Sequence, residues 1–287
     1  MSEAIIYAVA YGIALPALIG GSLWLLATEQ RRWIGVLAVA VGFHVGYIVL
    51  NWKAGEVGAS LLGFVGEPKE TGYIVAVALV GGLLDEWGPN LGRRVASALF
   101  AGGVTGLMYL MVGDLFGDPW TVVGTVARIG IVAVGFGAMH WTLEEQNRRH
   151  PGATLPLVLT VIATGAAMIL ALRGTARIGQ HVGILTAAVG ASVPIAWWRP
   201  SFAPGDGGIS AFLVVLAGLS TSGYFYMYGA PMYAALVWLA APHTIWIAEI
   251  GPLDELSGWK QTVSRVMCVA AAVGVAIGIA WAGSSSF

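Results

Sequence analysis

The sequence predicts an all-α protein: a polytopic transmembrane helix bundle of about ten spans, with residues 1–287 forming a single domain. Three observations lead to this prediction. Only 10% of the residues are charged and 57% are hydrophobic, whereas a soluble domain carries about 25% charged residues. The apolar residues form blocks that approach the roughly 20 residues a helix needs to cross a bilayer. These blocks are apolar on all sides, without the alternation at every second residue that is typical of barrel strands.

Polar residues and prolines separate the apolar blocks, and most tryptophans fall near block ends, where indole prefers the headgroup region. The third block is the shortest and ends in Asp85 and Glu86. The stretch 54–71 before it contains a short apolar run, 59–65, which we expect to lie at the interface. In chain order the blocks are 4–28, 33–52, 72–87, 95–112, 120–141, 153–172, 178–198, 208–228, 232–250 and 263–283.

The basic residues are divided unevenly between the loops. The loops after blocks two and six hold four: Lys53, Lys69, Arg173 and Arg177. The loops after the odd-numbered blocks hold nine: Arg31, Arg32, Arg93, Arg94, Arg148, Arg149, Arg199, Lys260 and Arg265. Because basic residues concentrate on the cytoplasmic side, we expect both termini on the non-cytoplasmic side. The N-terminus has no positively charged stretch before the first block, so we expect that helix to be retained.

Three polar residues inside blocks are the candidate substrate-binding residues: Arg128, His44 and His243. A charge at mid-membrane costs a few kcal/mol, so such residues often mark functional sites. Arg128 lies eight residues into block five, about 12 Å deep, and we expect it to point into the bundle. The alternatives for Arg128 are a side chain that snorkels to the interface or a structural pair with Asp114 or Asp118. The histidines could instead bond a neighbouring helix, relay protons or ligate haem.

The other titratable residues predict no further site. Carboxylates at block ends, Asp85, Glu86 and Glu249, are expected to be solvated. The histidines near block ends, His140, His150 and His181, are expected in the wet interface. No nucleotide-binding loop, nucleophile elbow, zinc-binding His-Glu-x-x-His or pair of mid-membrane carboxylates is present, so we predict no catalytic residue, no cofactor and no metal ligand. A net charge of −1 gives no indication of nucleic-acid binding.

Two backbone features predict local geometry. Pro242 lies inside block nine, where it would unwind the helix and release backbone carbonyls. The pairs Gly102/Gly106 and Gly274/Gly278 have the spacing of close helix packing.

Arg173, Arg177 and the Ala-Trp-Trp-Arg-Pro segment at 196–200 stand among alanine- and glycine-rich helices. In these features the second half of the chain resembles uncharacterised multi-pass membrane proteins of planctomycete-type bacteria. This resemblance implies the bacterial cytoplasmic (inner) membrane and no particular activity. The segment 253–256, Gln261 and the last block look like the last hairpin of drug/metabolite-type ten-helix transporters. That family keeps both termini in the cytoplasm, opposite to the orientation that the basic residues predict.

The functional prediction is a transporter-like protein for a small solute, with membrane lipid as its surroundings. One alternative is a non-catalytic subunit that packs in a homo-oligomer or a larger membrane complex. A second alternative, which rests on the histidines, is a membrane-embedded haem protein or enzyme.

Overall fold

A computed structural model describes residues 9–53, 70–87, 93–112, 121–225 and 233–284. They form α-helices and shorter helical turns, with no strand among them. The helices are α1 (Leu15–Leu26), α2 (Trp33–Lys53), α3 (Glu70–Trp87), α4 (Arg93–Val112), α5 (Val122–Arg149), α6 (Thr154–Leu172), α7 (Ala176–Gly190), α8 (Ser192–Trp198), α9 (Asp206–Phe225), α10 (Tyr233–Ala240) and α11 (Trp259–Ser284). A π-helical turn, Ala10–Ala14, precedes α1, and 3-10 turns cover Glu29–Arg31, Ala241–Glu249 and Gly251–Leu253.

The structure confirms the all-α class, and seven of its helical segments are long and apolar enough to cross a membrane. They are α2, α4, α5, α6, the continuous pair α7–α8, α9 and α11, which correspond to seven of the ten predicted blocks. The chain thus has the helical architecture of a multi-pass membrane protein. Ten spans, and the sides on which the termini lie, remain predictions.

The three other blocks are also helical but differ from the seven. Block one forms the shorter apolar helix Ala10–Leu26. Block three forms α3, which carries three acidic residues and packs lengthwise and antiparallel against α9. Block nine changes from α10 to a 3-10 helix at Ala241. Pro242 explains this change, because its ring and its missing N–H are incompatible with a continuous α-helix.

Helix α9 is the centre of the bundle: it is mostly buried and packs against α2, α3, α4, α5 and α7. Its closest neighbour is α3, because two glycines face one another where the helices meet. A Cβ added at Gly82 would stand 2.7 Å from the carbonyl oxygen of Gly207. This contact places the last turn of α3, with Asp85 and Glu86, against the first turns of α9.

Helix α5 is longer than predicted, since it continues past Trp141 to Arg149. The residues expected in a loop, Thr142–Asn147, are therefore helical, and all of them are buried. Leu, Glu and Gln are good helix formers, and Arg148 and Arg149 suit the negative end of the helix dipole. The helix ends at His150, which precedes Pro151 and is thereby restricted to non-helical backbone.

Two other sequence expectations are wrong. Trp24 lies near the end of its helix, but its indole does not face the surroundings of the bundle: it is 1% exposed and donates its N–H to the carbonyl of Ala188 at 3.2 Å. The glycine pairs on α4 and α11 make no close helix packing in the described part of the chain, because a Cβ at any of the four would have nothing within 4 Å. The expected apolar run 59–65 lies outside the described residues.

Basic side chains gather at one end of the bundle, which we name the arginine-rich end. Arg199 donates to the carbonyl of Leu25 at the end of α1. Arg148, at the end of α5, donates to Asp206 at the start of α9. Five of the nine residues that predict the cytoplasmic side have partners at this end: Arg32, Arg148, Arg149, Arg199 and Arg265.

Candidate functional site

Four polar side chains from three helices meet near the arginine-rich end, and we name them the His140 cluster: Asp85 on α3, His140 and Glu144 on α5, and Ser210 on α9. The ligand atoms of Asp85, His140 and Glu144 all lie within 4.8 Å of one another. His140 Nε2 is 3.5 Å from Asp85 Oδ2 and 3.6 Å from Glu144 Oε1. Their side-chain exposures are 19%, 1% and 2% in chain order. The cluster is therefore a largely dehydrated group of one imidazole and two carboxyl groups.

Hydrogen bonds connect the cluster into a chain across four helices. Ser210 Oγ donates to Asp85 Oδ2 at 2.7 Å and is 2.7 Å from His140 Nε2. Ser210 Oγ thus bridges Asp85 and His140. His140 Nδ1, on the other side of the ring, is 3.2 Å from Ser97 Oγ on α4. The ring is also held by Phe100, which stacks on it at a centroid distance of 4.3 Å.

Glu144 is the least satisfied member of the His140 cluster. The residue is 1% exposed, and its Oε2 atom has no hydrogen-bond partner within the described ranges. Its Oε1 is beyond hydrogen-bond distance of His140. A buried carboxylate oxygen without a donor costs about 1–3 kcal/mol or more, so such an atom in a native fold calls for a ligand or a proton.

The surroundings of the cluster are acidic. Glu86 Oε2 accepts from the backbone N–H of Gly207 at 3.1 Å. Asp206 accepts from Arg148 at 2.7 Å and from Asn147 at 3.4 Å. With Asp85 and Glu144, these make four carboxyl groups near one imidazole, and Arg148 is a partly exposed counter-charge. This excess of negative charge favours a cation.

Sequence reasoning missed this site. It placed His140 in the wet interface, expected Asp85 to be solvated and assigned no role to Glu144, which follows block five, whereas His140 is fully buried and all three meet inside the bundle. The signal available was the spacing of four between His140 and Glu144, which puts both on one helix face. Nothing in the sequence pointed to Ser97 or Ser210, because their role depends on the neighbours that the fold provides.

The structure places the predicted site residues elsewhere and does not unite them. Arg128 is half-buried on α5, within electrostatic range of Tyr224 on α9. His243 Nδ1 is 2.6 Å from Thr142 Oγ1, and Thr142 lies 14 residues beyond Arg128 on α5, or about 21 Å along the helix. His44 is half-buried on α2, which packs against α1, α3, α7 and α9 rather than around His243. A role for each residue in substrate binding remains a prediction.

A second polar group lies beside the cluster, around Glu249 at the end of the Ala241–Glu249 turn. Glu249 Oε1 accepts from Gln146 at 3.0 Å and from His150 at 2.9 Å. Burial lowers the pKa of the His150 imidazole below its ordinary value; Arg265 and Arg149 act in the same direction, and the bond with Glu249 opposes them. His150 is thus also drier than the interface position expected for it.

His181, the third histidine expected in the interface, is also buried. It is 7% exposed, stacks edge-on against Tyr47 and lies 3.4 Å from Asn51 Nδ2. Arg177 donates to Asn51 Oδ1 at 3.1 Å. Asn51 occupies the last turn of α2, at the end of that helix opposite to the arginine-rich end.

Comparison with protein families, with curated proteins and with solved structures finds no match to this chain.

Proposed function

We propose that this chain is a transporter for a small solute in the bacterial inner membrane, and that the solute is a divalent metal cation bound by the His140 cluster. One observation carries the proposal: an imidazole and two carboxyl groups converge in a buried site, where Glu144 Oε2 has no hydrogen-bond partner among the described residues. Imidazole and carboxylate ligands together suit Zn²⁺, Mn²⁺, Fe²⁺ and Co²⁺.

The spacing of the donors supports a metal ion. Ligands about 2.0–2.1 Å from a tetrahedral ion lie about 3.4 Å from one another. The His140–Asp85 and His140–Glu144 distances, 3.5 and 3.6 Å, are close to this value. Ser210 Oγ or water would supply the remaining position. Two carboxylates and a neutral imidazole also leave a divalent cation neutralised in the interior.

Polar groups farther along the bundle support transport rather than a static structural ion. Thr221 lies about 17 Å along α9 from Ser210 and is 2% exposed, and its hydroxyl has no hydrogen-bond partner among the residues described. Beyond it, Asn51 and His181 form the buried polar group at the opposite end of α2. A mobile cation needs such groups in succession between the two ends.

The test uses the purified full chain in liposomes that contain a metal-sensitive fluorophore. We expect Zn²⁺ or Mn²⁺ uptake that Asp85→Asn and His140→Gln abolish. Glu145→Gln is the matched control, because Glu145 is a buried carboxylate on the same helix that bonds Arg149 at 2.6 Å instead of entering the cluster. Uptake and equilibrium metal binding that are unchanged in both cluster variants would refute the proposal.

A second candidate function, a proton-coupled carrier, is favoured by the hydrogen-bonded chain from Ser97 through His140 and Ser210 to Asp85. Histidine changes charge near neutral pH and relays protons readily. In this case the liposomes would show no metal uptake, and Ser210→Ala would abolish transport driven by a pH gradient. If the protein transports neither metal ions nor protons, the alternative of a non-catalytic subunit is favoured. The haem alternative is tested by the absorption spectrum of the purified protein.

A further inference from the structure

A cavity of about 500 Å³ opens at the arginine-rich end, apart from the His140 cluster. We name it the Arg265 pocket. It lies where α6 and α11 begin, and the polar groups that line it are Arg149, His150, Thr154, Gln261, Thr262 and Arg265. Among the described residues no carboxylate lines the pocket, although just behind the lining Glu145 binds Arg149 at 2.6 Å and Glu249 binds His150 at 2.9 Å. The lining is therefore rich in hydrogen-bond donors.

Arg265 is the reason to expect a ligand here. The residue is 2% exposed, yet its Nε and Nη2 atoms have no hydrogen-bond partner in the part of the chain that the structure describes. Its nearest carboxylate, Glu249 Oε1, is 3.9 Å from Nη2, too far for a hydrogen bond. Guanidinium donors normally engage an acceptor, and planar pairs of them match the oxygens of a phosphate or carboxylate.

Two helix N-termini add to this charge. Helices α6 and α11 begin at Thr154 and Trp259, and both residues line the pocket. The first-turn N–H groups of a helix lack intrahelical acceptors and form its positive pole, which favours anions. Thr154 Oγ1 and Thr262 Oγ1 share a hydrogen bond of 3.1 Å beside them, which leaves the proton of one hydroxyl for a ligand. The starts of two helices and one buried arginine thus border a single cavity.

We propose that the Arg265 pocket binds a phosphate group, either that of an anionic phospholipid headgroup or free phosphate. The size of the cavity exceeds that of a phosphate ion alone and suits a headgroup with its glycerol. Two tryptophans on its lining, Trp197 and Trp259, are 62% and 64% exposed, as expected of side chains at headgroup depth. The proposal does not depend on the metal site.

The experiment uses delipidated full-length protein in mild detergent and follows tryptophan fluorescence or native mass. The probes are short-chain phosphatidylglycerol, diacylglycerol with the same chains and no phosphate, and inorganic phosphate. We expect phosphatidylglycerol to bind and diacylglycerol not to compete. Arg265→Gln should weaken phosphatidylglycerol binding about ten- to hundredfold. Arg199→Gln is the matched control, because Arg199 lies at the same end but outside the pocket, and it should change affinity less than about threefold.

The binding results distinguish a lipid headgroup from free phosphate as the ligand of the Arg265 pocket. Phosphatidylglycerol binding that inorganic phosphate does not reproduce identifies a lipid site, and saturation by inorganic phosphate alone identifies a free-anion site. Equal binding of diacylglycerol, or equal losses in the Arg199 and Arg265 variants, would overturn the proposal. If Arg265→Gln does not fold, Thr262→Val decides: it should bind severalfold more weakly, and unchanged affinity counts against the site.

Discussion

Replacing Glu144 by Gln is expected to stabilise the metal-free protein while weakening its metal binding. The side chain is 1% exposed and its Oε2 has no partner within the described ranges. Glutamine keeps the volume and removes the charge, so the unmet desolvation cost of about 1–3 kcal/mol should be largely relieved. When metal is present the wild type should be the more stable protein, since a ligand at 100 times its Kd adds about 2.7 kcal/mol to the free energy of unfolding.

The assay is thermal unfolding in detergent, followed by tryptophan fluorescence, with either a chelator or excess Zn²⁺ or Mn²⁺. In the chelator the Glu144→Gln variant should unfold a few degrees above the wild type, and in excess metal the order should reverse. Glu145→Gln is the control: it removes the negative charge from the 2.6 Å ion pair with the half-exposed Arg149 and should cost at most about 1 kcal/mol in both conditions. A lower Tm for Glu144→Gln in the chelator, with metal binding unchanged, would show that this carboxylate is merely structural.

Further predictions concern packing, pH and orientation. Gly82→Ala should cost about 1–3 kcal/mol and weaken metal binding, because its Cβ would stand 2.7 Å from a backbone oxygen of α9. Gly81→Ala, whose Cβ would have no described atom within 4 Å, should be neutral or stabilising in the same unfolding assay. The lowered pKa of His150 makes the native state bind fewer protons than the unfolded state, so stability should fall as pH drops below about 6.5. His150→Gln should flatten that pH profile of Tm, and an unchanged profile would assign the dependence to other groups. Reporter fusions after Arg149 should be cytoplasmic and those at Phe287 should not; the reverse result would contradict the orientation predicted from the basic residues.

The helical class and most helix positions follow from the sequence because they depend on local composition. Apolar runs of bilayer length can be recognised directly in the sequence. Blocks two, four, six and eight therefore coincide with α2, α4, α6 and α9 to within a few residues. The break in block nine was also predictable, since the effect of Pro242 on a helix is local. The gathering of basic residues at one end follows from the same alternation of blocks and loops.

The candidate sites were decided by tertiary structure. Asp85 and Ser210 are separated by 125 residues and meet only because α3 and α9 approach closely at Gly82 and Gly207. Charged residues at the end of an apolar block look solvated in the sequence, whereas here α5 continues and carries Glu144 into the bundle. When such residues are buried they lose their water, and their polar groups must bond to other side chains instead. Those partners lie far away along the chain, so only the tertiary structure shows the cluster.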